Sequence, residues 1–221
     1  MSIIEAVGRL STVGRDAAGS RGDDEATPCF PDGSMDAITI LPLTPDNWSD
    51  FETLMGPRGG AGGCWCMLWR LRKRDYDAMK GEANRDAIRA VVEAGPPPGL
   101  LAYDGGVPVG WISIAPREAF PRLENSRVMQ PVDDRPVWSV SCFLIAKSHR
   151  RQGVGAALLD AACAFAREHG ATLVEGYPVA PGKDGYPDTY AWTGFDSVFR
   201  RTGFAEVARR SETRPIMRRE L

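Results

Sequence analysis

Residues 147–156 read Lys-Ser-His-Arg-Arg-Gln-Gly-Val-Gly-Ala, and their types and spacing suit the capture of an anion. Arg150, Gly153 and Gly155 fit Arg-x-x-Gly-x-Gly, in which small residues let the backbone close tightly around a ligand. The first amides of a helix have no partner within it and point one way, at the positive end of its dipole. Lys147, His149, Arg150 and Arg151 add positive or ionisable groups to the same turn. The pattern asks for a phosphate-bearing ligand, above all a pyrophosphate.

Such a loop works only where an apolar strand hands over to an amphipathic helix. Residues 137–146 are rich in β-branched and aromatic types and predict the strand. A helix is expected from about Val154, with Leu158, Ala161, Ala162 and Phe165 on one buried face and Gly170 at its end. Upstream, 37–41 read as a first strand, and Trp48, Phe51 and Leu54 mark a helix that stops in the Gly-rich stretch 57–63. A second helix is expected over 84–94. Two strands, 99–104 and 107–115, flank the Gly105-Gly106 turn. Residues 116–135 lack periodicity and read as a surface loop. Downstream come a strand over 172–179, a turn-rich excursion over 181–187, a short helix over 195–201 and a last strand pair, 205–209 with 214–218. Residues 1–35 read as a flexible arm before a domain spanning 36–221, and Met35 stands as an alternative start.

The composition excludes several classes. Lys plus Arg total 27 against 29 Asp plus Glu in 221 residues, a net charge of −2, which gives no reason to invoke nucleic acid or an anionic membrane. The longest apolar run, 161–166, is far too short to span a bilayer, and no extended apolar region opens the chain. Five cysteines, at 29, 64, 66, 142 and 163, form no regular framework. The expectation is a soluble, cytoplasmic protein.

The order of elements, the Arg150 to Gly155 motif and a short helix closing on Gly203-Phe204 together resemble the GCN5-related N-acetyltransferase (GNAT) family. The resemblance runs from Ala37 to the C-terminus and is closest over 137–204. It implies a mixed α/β (α+β) fold: a mostly antiparallel sheet with a central, splayed parallel strand pair, flanked by helices. It also implies acetyl-CoA as cosubstrate. Its pyrophosphate would rest on Arg150, Arg151 and the amides of Gln152, Gly153, Val154, Gly155 and Ala156. Its pantetheine arm would pair with the backbone of Phe143, Leu144 and Ile145. An amine would then attack the acetyl carbonyl directly, a strand amide would steady the oxyanion, and the CoA thiolate would leave.

Many members carry a Tyr four residues before the Gly of Gly-Phe, suited to protonating that thiolate. Here Phe199 stands in its place. Within the resemblance, Glu175 is the first candidate for a base, as the carboxylate inside the strand bordering the acceptor site. An ion pair on that strand is its other reading. Tyr177 and Tyr190 are candidate acids, or else rings packed with their hydroxyls tied down.

Cys64-Trp-Cys66 invites a metal or redox reading, but structural zinc favours four ligands, and His149 and His169 are the only histidines. No metal site is expected. Trp65, Met67 and Trp69 would instead form a partly apolar wall of the acceptor pocket, and residues 184–188 a further wall. The basic run Arg70, Arg72, Lys73 and Arg74 reads as a solvated helical face. The chain is thus expected to acetylate a small-molecule amine, with no nucleic-acid or membrane partner and, by analogy with the fold, as a homodimer. A non-catalytic acyl-CoA-binding or sensing domain is the alternative, which Phe199 would permit. A thiol-responsive protein using Cys64 and Cys66 is the third.

Overall fold

The computed structural model describes residues 38–181 and 191–221. The expected N-terminal arm, Tyr190 and the stretch 184–188 lie outside them. Seven described strands form one sheet: β1 (Thr39–Pro42), β2 (Gly99–Asp104), β3 (Val107–Pro116), β4 (Trp138–Ile145), β5 (Leu173–Gly176), β6 (Ala205–Arg209) and β7 (Pro215–Glu220), in the order β1-β2-β3-β4-β5-β7-β6. All neighbours run antiparallel except β4 and β5, which are parallel. The helices are α1 (Trp48–Met55), α2 (Lys73–Ala78), α3 (Glu82–Ala94), α4 (Pro121–Glu124), α5 (Val154–Glu168) and α6 (Asp196–Arg201). The fold implied by the resemblance is the one found. No helix among the described residues is long and apolar enough to cross a membrane.

β3 explains why both faces of the sheet are covered. Its residues are buried in near-continuous sequence, because Trp111 and Ile112, each fully buried, point to opposite sides. Ile112, Ile114, Val140 and Phe143 meet Leu158, Leu159, Ala162 and Phe165 of α5 on one side. On the other, Trp111 packs with Phe51 of α1, Trp65 and Ile88 of α3, the Phe51 and Trp111 rings meeting edge-on at 4.8 Å. Gly110 of β3 lets the start of α5 come close: a Cβ there would lie 3.0 Å from Leu158 and 3.1 Å from Val154. That approach fixes the first turn of α5 against the end of β4.

The stretch expected as a surface loop, 116–135, is more structured than its sequence suggests. It holds a 3-10 turn, Arg117–Ala119, then α4, whose Leu123 is buried beside Phe120. The strand expected over 172–179 pairs only as Leu173–Gly176, and beyond it Val179 bridges Phe195.

Candidate functional site

The anion loop begins where β4 ends. A single 3-10 turn, Lys147–His149, leads to Gly153, the residue before α5, at φ 87° and ψ −14°. That left-handed conformation suits glycine because an L side chain there is strained by about 1–2 kcal/mol. Side chains brace the turn. Arg150 Nε donates to Ile145 O at 3.2 Å, Gln152 Nε2 donates to Ser148 O at 2.6 Å, and His149 Nε2 meets Asp104 Oδ2 of β2 at 2.9 Å. Among the described residues no backbone carbonyl accepts from the amides of Gln152, Gly153, Val154 or Gly155, as a helix start requires. Ala156 differs from expectation, since its amide closes the first turn on Gly153 O at 2.9 Å.

Lys147, Arg150, Arg151, Gly153, Gly155 and Ala156 line one cavity of about 1290 Å³, joined by Arg201 of α6. Val154, 1% exposed, turns its side chain into the core instead. The cavity runs along β4 past Ile145, Leu144 and Phe143. It opens there because β4 and β5 pair over only three residues, Trp138 with Val174, Ser139 with Glu175 and Val140 with Gly176, after which the strands part. In the gap Phe143 N–H donates to the Trp192 carbonyl at 2.6 Å.

Beyond Phe143 the wall comes from the segment between α1 and α2. Cys64, Cys66, Leu68 and Trp69 face the cavity, with Tyr76, Arg58 and Arg122. Of the three large side chains expected there, only Trp69 lines it. Trp65 and Met67 are buried in the core under α1 and α3. The backbone explains the exchange: Trp65 and Cys66 both take left-handed φ, 44° and 58°, which resets which residues face outward.

Glu175 and Tyr177 come together, but not on this cavity. Glu175 is fully buried. Its Oε1 accepts from Arg117 Nη1 at 3.0 Å and from Tyr177 Oη at 2.6 Å, and its Oε2 accepts from Arg218 Nε at 2.7 Å. Arg117 Nη1 also donates to Tyr177 Oη, whose second neighbour is Ser139 Oγ at 2.9 Å. Burial, then the Glu175 charge, holds the Tyr177 hydroxyl well above the usual tyrosine value. Arg117 is the residue that sequence reasoning missed, for it stands in a stretch with no periodicity. Phe199 is fully buried between Phe143 and Phe204, and a Cβ on Gly176 would lie 2.2 Å from its ring.

Comparison with known proteins agrees with this architecture. A family model described as "Acetyltransferase (GNAT) family" matches residues 65–180, a little over half of the chain. A GNAT-family acetyltransferase structure from Listeria monocytogenes 4b F2365 is similar at a TM-score of 0.51 and 10% identity, covering 83% of this chain and 95% of that one. One from Streptococcus agalactiae 2603 is similar at 0.50 and 9%, covering 85% and 98%. The putative acetyltransferase yncA from Salmonella typhimurium, solved with acetyl-CoA, is 16% identical over 84% of this chain and 95% of its own, at 0.48. No curated protein matches the chain. The chain belongs to the GNAT family of acetyltransferases, enzymes whose cosubstrate is acetyl-CoA.

Proposed function

We propose that this protein moves the acetyl group of acetyl-CoA to the amine of a small molecule that also carries an anionic group, by direct attack in a ternary complex. One observation carries the reading: a single cavity joins the anion loop, the parted edge of β4 and the wall of Cys64, Leu68, Trp69, Tyr76, Arg58 and Arg122. Both substrates thus meet without leaving it. The CoA pyrophosphate takes the amides of Gln152 to Gly155, with Lys147, Arg150 and Arg151 around it. The pantetheine arm follows Phe143 to Ile145, and its acyl end displaces the Trp192 carbonyl from the Phe143 amide. That amide, released from Trp192, then faces the developing oxyanion.

Glu175 and Tyr177 are assigned to holding β5 rather than to proton transfer. Both oxygens of the Glu175 carboxylate are already taken by two guanidiniums and the Tyr177 hydroxyl, and neither residue lines the cavity. The unpaired Cys64, Cys66, Cys142 and Cys163 suit a reducing compartment, which supports a cytoplasmic location.

The acceptor class follows from charge. Arg58 and Arg122 face the cavity beside apolar and aromatic residues, and no carboxylate is found among its described lining residues. A polycation would enter against those charges, whereas an amine bearing a carboxylate or phosphate meets them favourably. In a CoA-release assay, apolar amino acids and their analogues should outperform polyamines. Arg122→Met should raise KM for the anionic amine about tenfold, the loss of roughly 1.4 kcal/mol of charge-assisted contact, with kcat little changed. A polyamine as the best acceptor would overturn this specificity. Acetyl-CoA binding without release across the whole panel would instead favour a sensing domain.

A further inference from the structure

Cys66 sits where an indole donor, a second thiol and a cation converge on one sulfur. Trp111 Nε1 donates to Cys66 Sγ at 2.9 Å, and an indole N–H has no acceptor role to exchange. Cys142 neighbours the same sulfur, its thiol also reaching Phe143 O at 3.8 Å. Arg70 adds its charge nearby, with its Nη2 on Pro98 O at 3.0 Å and its Nε buried without a partner among the described residues. A sulfur that accepts an indole N–H beside a guanidinium and a second thiol is favoured as a thiolate.

The other thiols are arranged differently. Cys64 Sγ donates to Gly59 O at 3.7 Å, and burial pushes its thiol up. The hydrogen bond from Cys142, helped by Trp111 and Arg70, brings the Cys66 thiol down against its burial, while the same bond pushes Cys142 well up. Cys163 belongs to α5 and is buried in the core.

The backbone points the same way. Two successive residues with side chains, Trp65 and Cys66, hold left-handed φ, a strained conformation that persists where the surroundings over-determine it. The Trp65 ring provides that hold by lying on Gly59, where a Cβ would sit 2.1 Å from its Nε1. Strain is thus maintained at the turn that delivers Cys66 to Trp111 and Cys142. Cys66 and Cys142 both line the cavity, with Cys66 only 4% exposed, so a solute that meets them there must be small, as peroxide is.

We propose that Cys66 and Cys142 form a peroxide-reactive thiol pair, Cys66 attacking and Cys142 resolving, whose disulfide alters the wall beside Phe143. The Cys66 thiolate attacks one peroxide oxygen. The O–O bond breaks, the leaving hydroxide takes a proton from solvent, and Cys66 becomes a sulfenic acid. The Cys142 sulfur then attacks the Cys66 sulfur, the S–O bond breaks, and water leaves with the Cys142 proton. Two thiols lose two electrons in total, and one peroxide becomes two waters. The first step enables the second, because a sulfenic acid no longer carries the charge that kept Cys142 protonated. Cys142 directly precedes Phe143 on β4, so the new bond forms beside the amide assigned to the oxyanion. The chemistry itself does not depend on the acceptor proposed above.

The test is peptide mapping of the reduced full chain after limited hydrogen peroxide and alkylation of the remaining thiols. The expected product is a Cys66 peptide joined to a Cys142 peptide, lighter by two hydrogens and released by dithiothreitol. Cys142→Ser should stall the reaction at a Cys66 sulfenic acid that dimedone captures, and Cys64→Ser should leave the link intact. In the unoxidised parent near pH 7, iodoacetamide should label Cys66 faster than Cys64, since the Cys64 thiol is pushed up and the Cys66 thiol brought down. A link between Cys64 and Cys66, no link at Cys66, or labelling of Cys66 no faster than Cys64 would overturn the proposal.

Discussion

Glu175→Gln will lower the stability of the fold by about 3–5 kcal/mol, the cost of removing one partner from a buried ion pair. The carboxylate is fully buried and serves Arg117 and Arg218, themselves only 7% and 6% exposed. Glutamine keeps the shape but removes the charge, and one of its two oxygens becomes an NH₂ aimed at a guanidinium. Both cations then depend on their outer partners, Glu124 for Arg117 and Asp133 for Arg218, which stand 52% and 42% exposed and lie in screened surroundings. Against a total of about 5–15 kcal/mol for a typical domain, this loss is a large fraction. An unfolding free energy from urea titration within about 1 kcal/mol of the parent would falsify the account. A cycle with Arg117→Leu should expose a coupling of about 0.5–3 kcal/mol, as expected of groups in one network. The cluster also limits alkaline tolerance. An unfolded chain releases the Tyr177 proton near pH 10, whereas the fold keeps it, so stability should fall as pH rises past about 10. If the folded fraction of Glu175→Gln still releases CoA with the parent's pH profile, the carboxylate positions β5 and accepts no proton.

The parts of the site that were legible in the sequence are those built from neighbours in the chain. The passage from β4 through Arg150, Gly153 and Gly155 into α5 is set by local residue types, and so is the hairpin at Gly105-Gly106. The parts that were not legible depend on partners far apart. Arg117 meets Glu175 across 58 residues, and such a pairing leaves no periodic trace in a stretch of mixed polarity. α2 and α4, at six and four residues, are too short to carry a pattern. Cys64-Trp-Cys66 suggested a pair of thiols from its spacing, but the left-handed turn at Trp65 and Cys66 sends Cys66 to Trp111 and Cys142 instead. The alternation that would have aimed Trp65 and Met67 at the cavity fails at the same turn.

Acetyl-CoA at a hundredfold excess over its dissociation constant will stabilise the parent by about 2.7 kcal/mol, and Gly155→Glu will abolish that gain. The choice of glycine decides what the result means. Gly153 holds φ at 87°, so any side chain there strains the backbone, and a lost ligand effect could come from a damaged loop. Gly155 is free of that constraint. A Cβ added to it would meet only the flexible end of Ile145 at 3.3 Å and Val198 at 3.9 Å. Glutamate in the first turn of α5 also favours the helix by about 0.3–1 kcal/mol through its dipole, so the unliganded variant should unfold close to the parent. The same negative charge occupies the place assigned to the pyrophosphate, where it repels the ligand and covers the amides meant for it. A ligand-dependent rise of the parent midpoint that disappears in a stable Gly155→Glu therefore locates acetyl-CoA on this loop by charge rather than by fold. A rise that survives the substitution would detach the cosubstrate from residues 150–156, and the direction assigned to the pantetheine along β4 would fall with it.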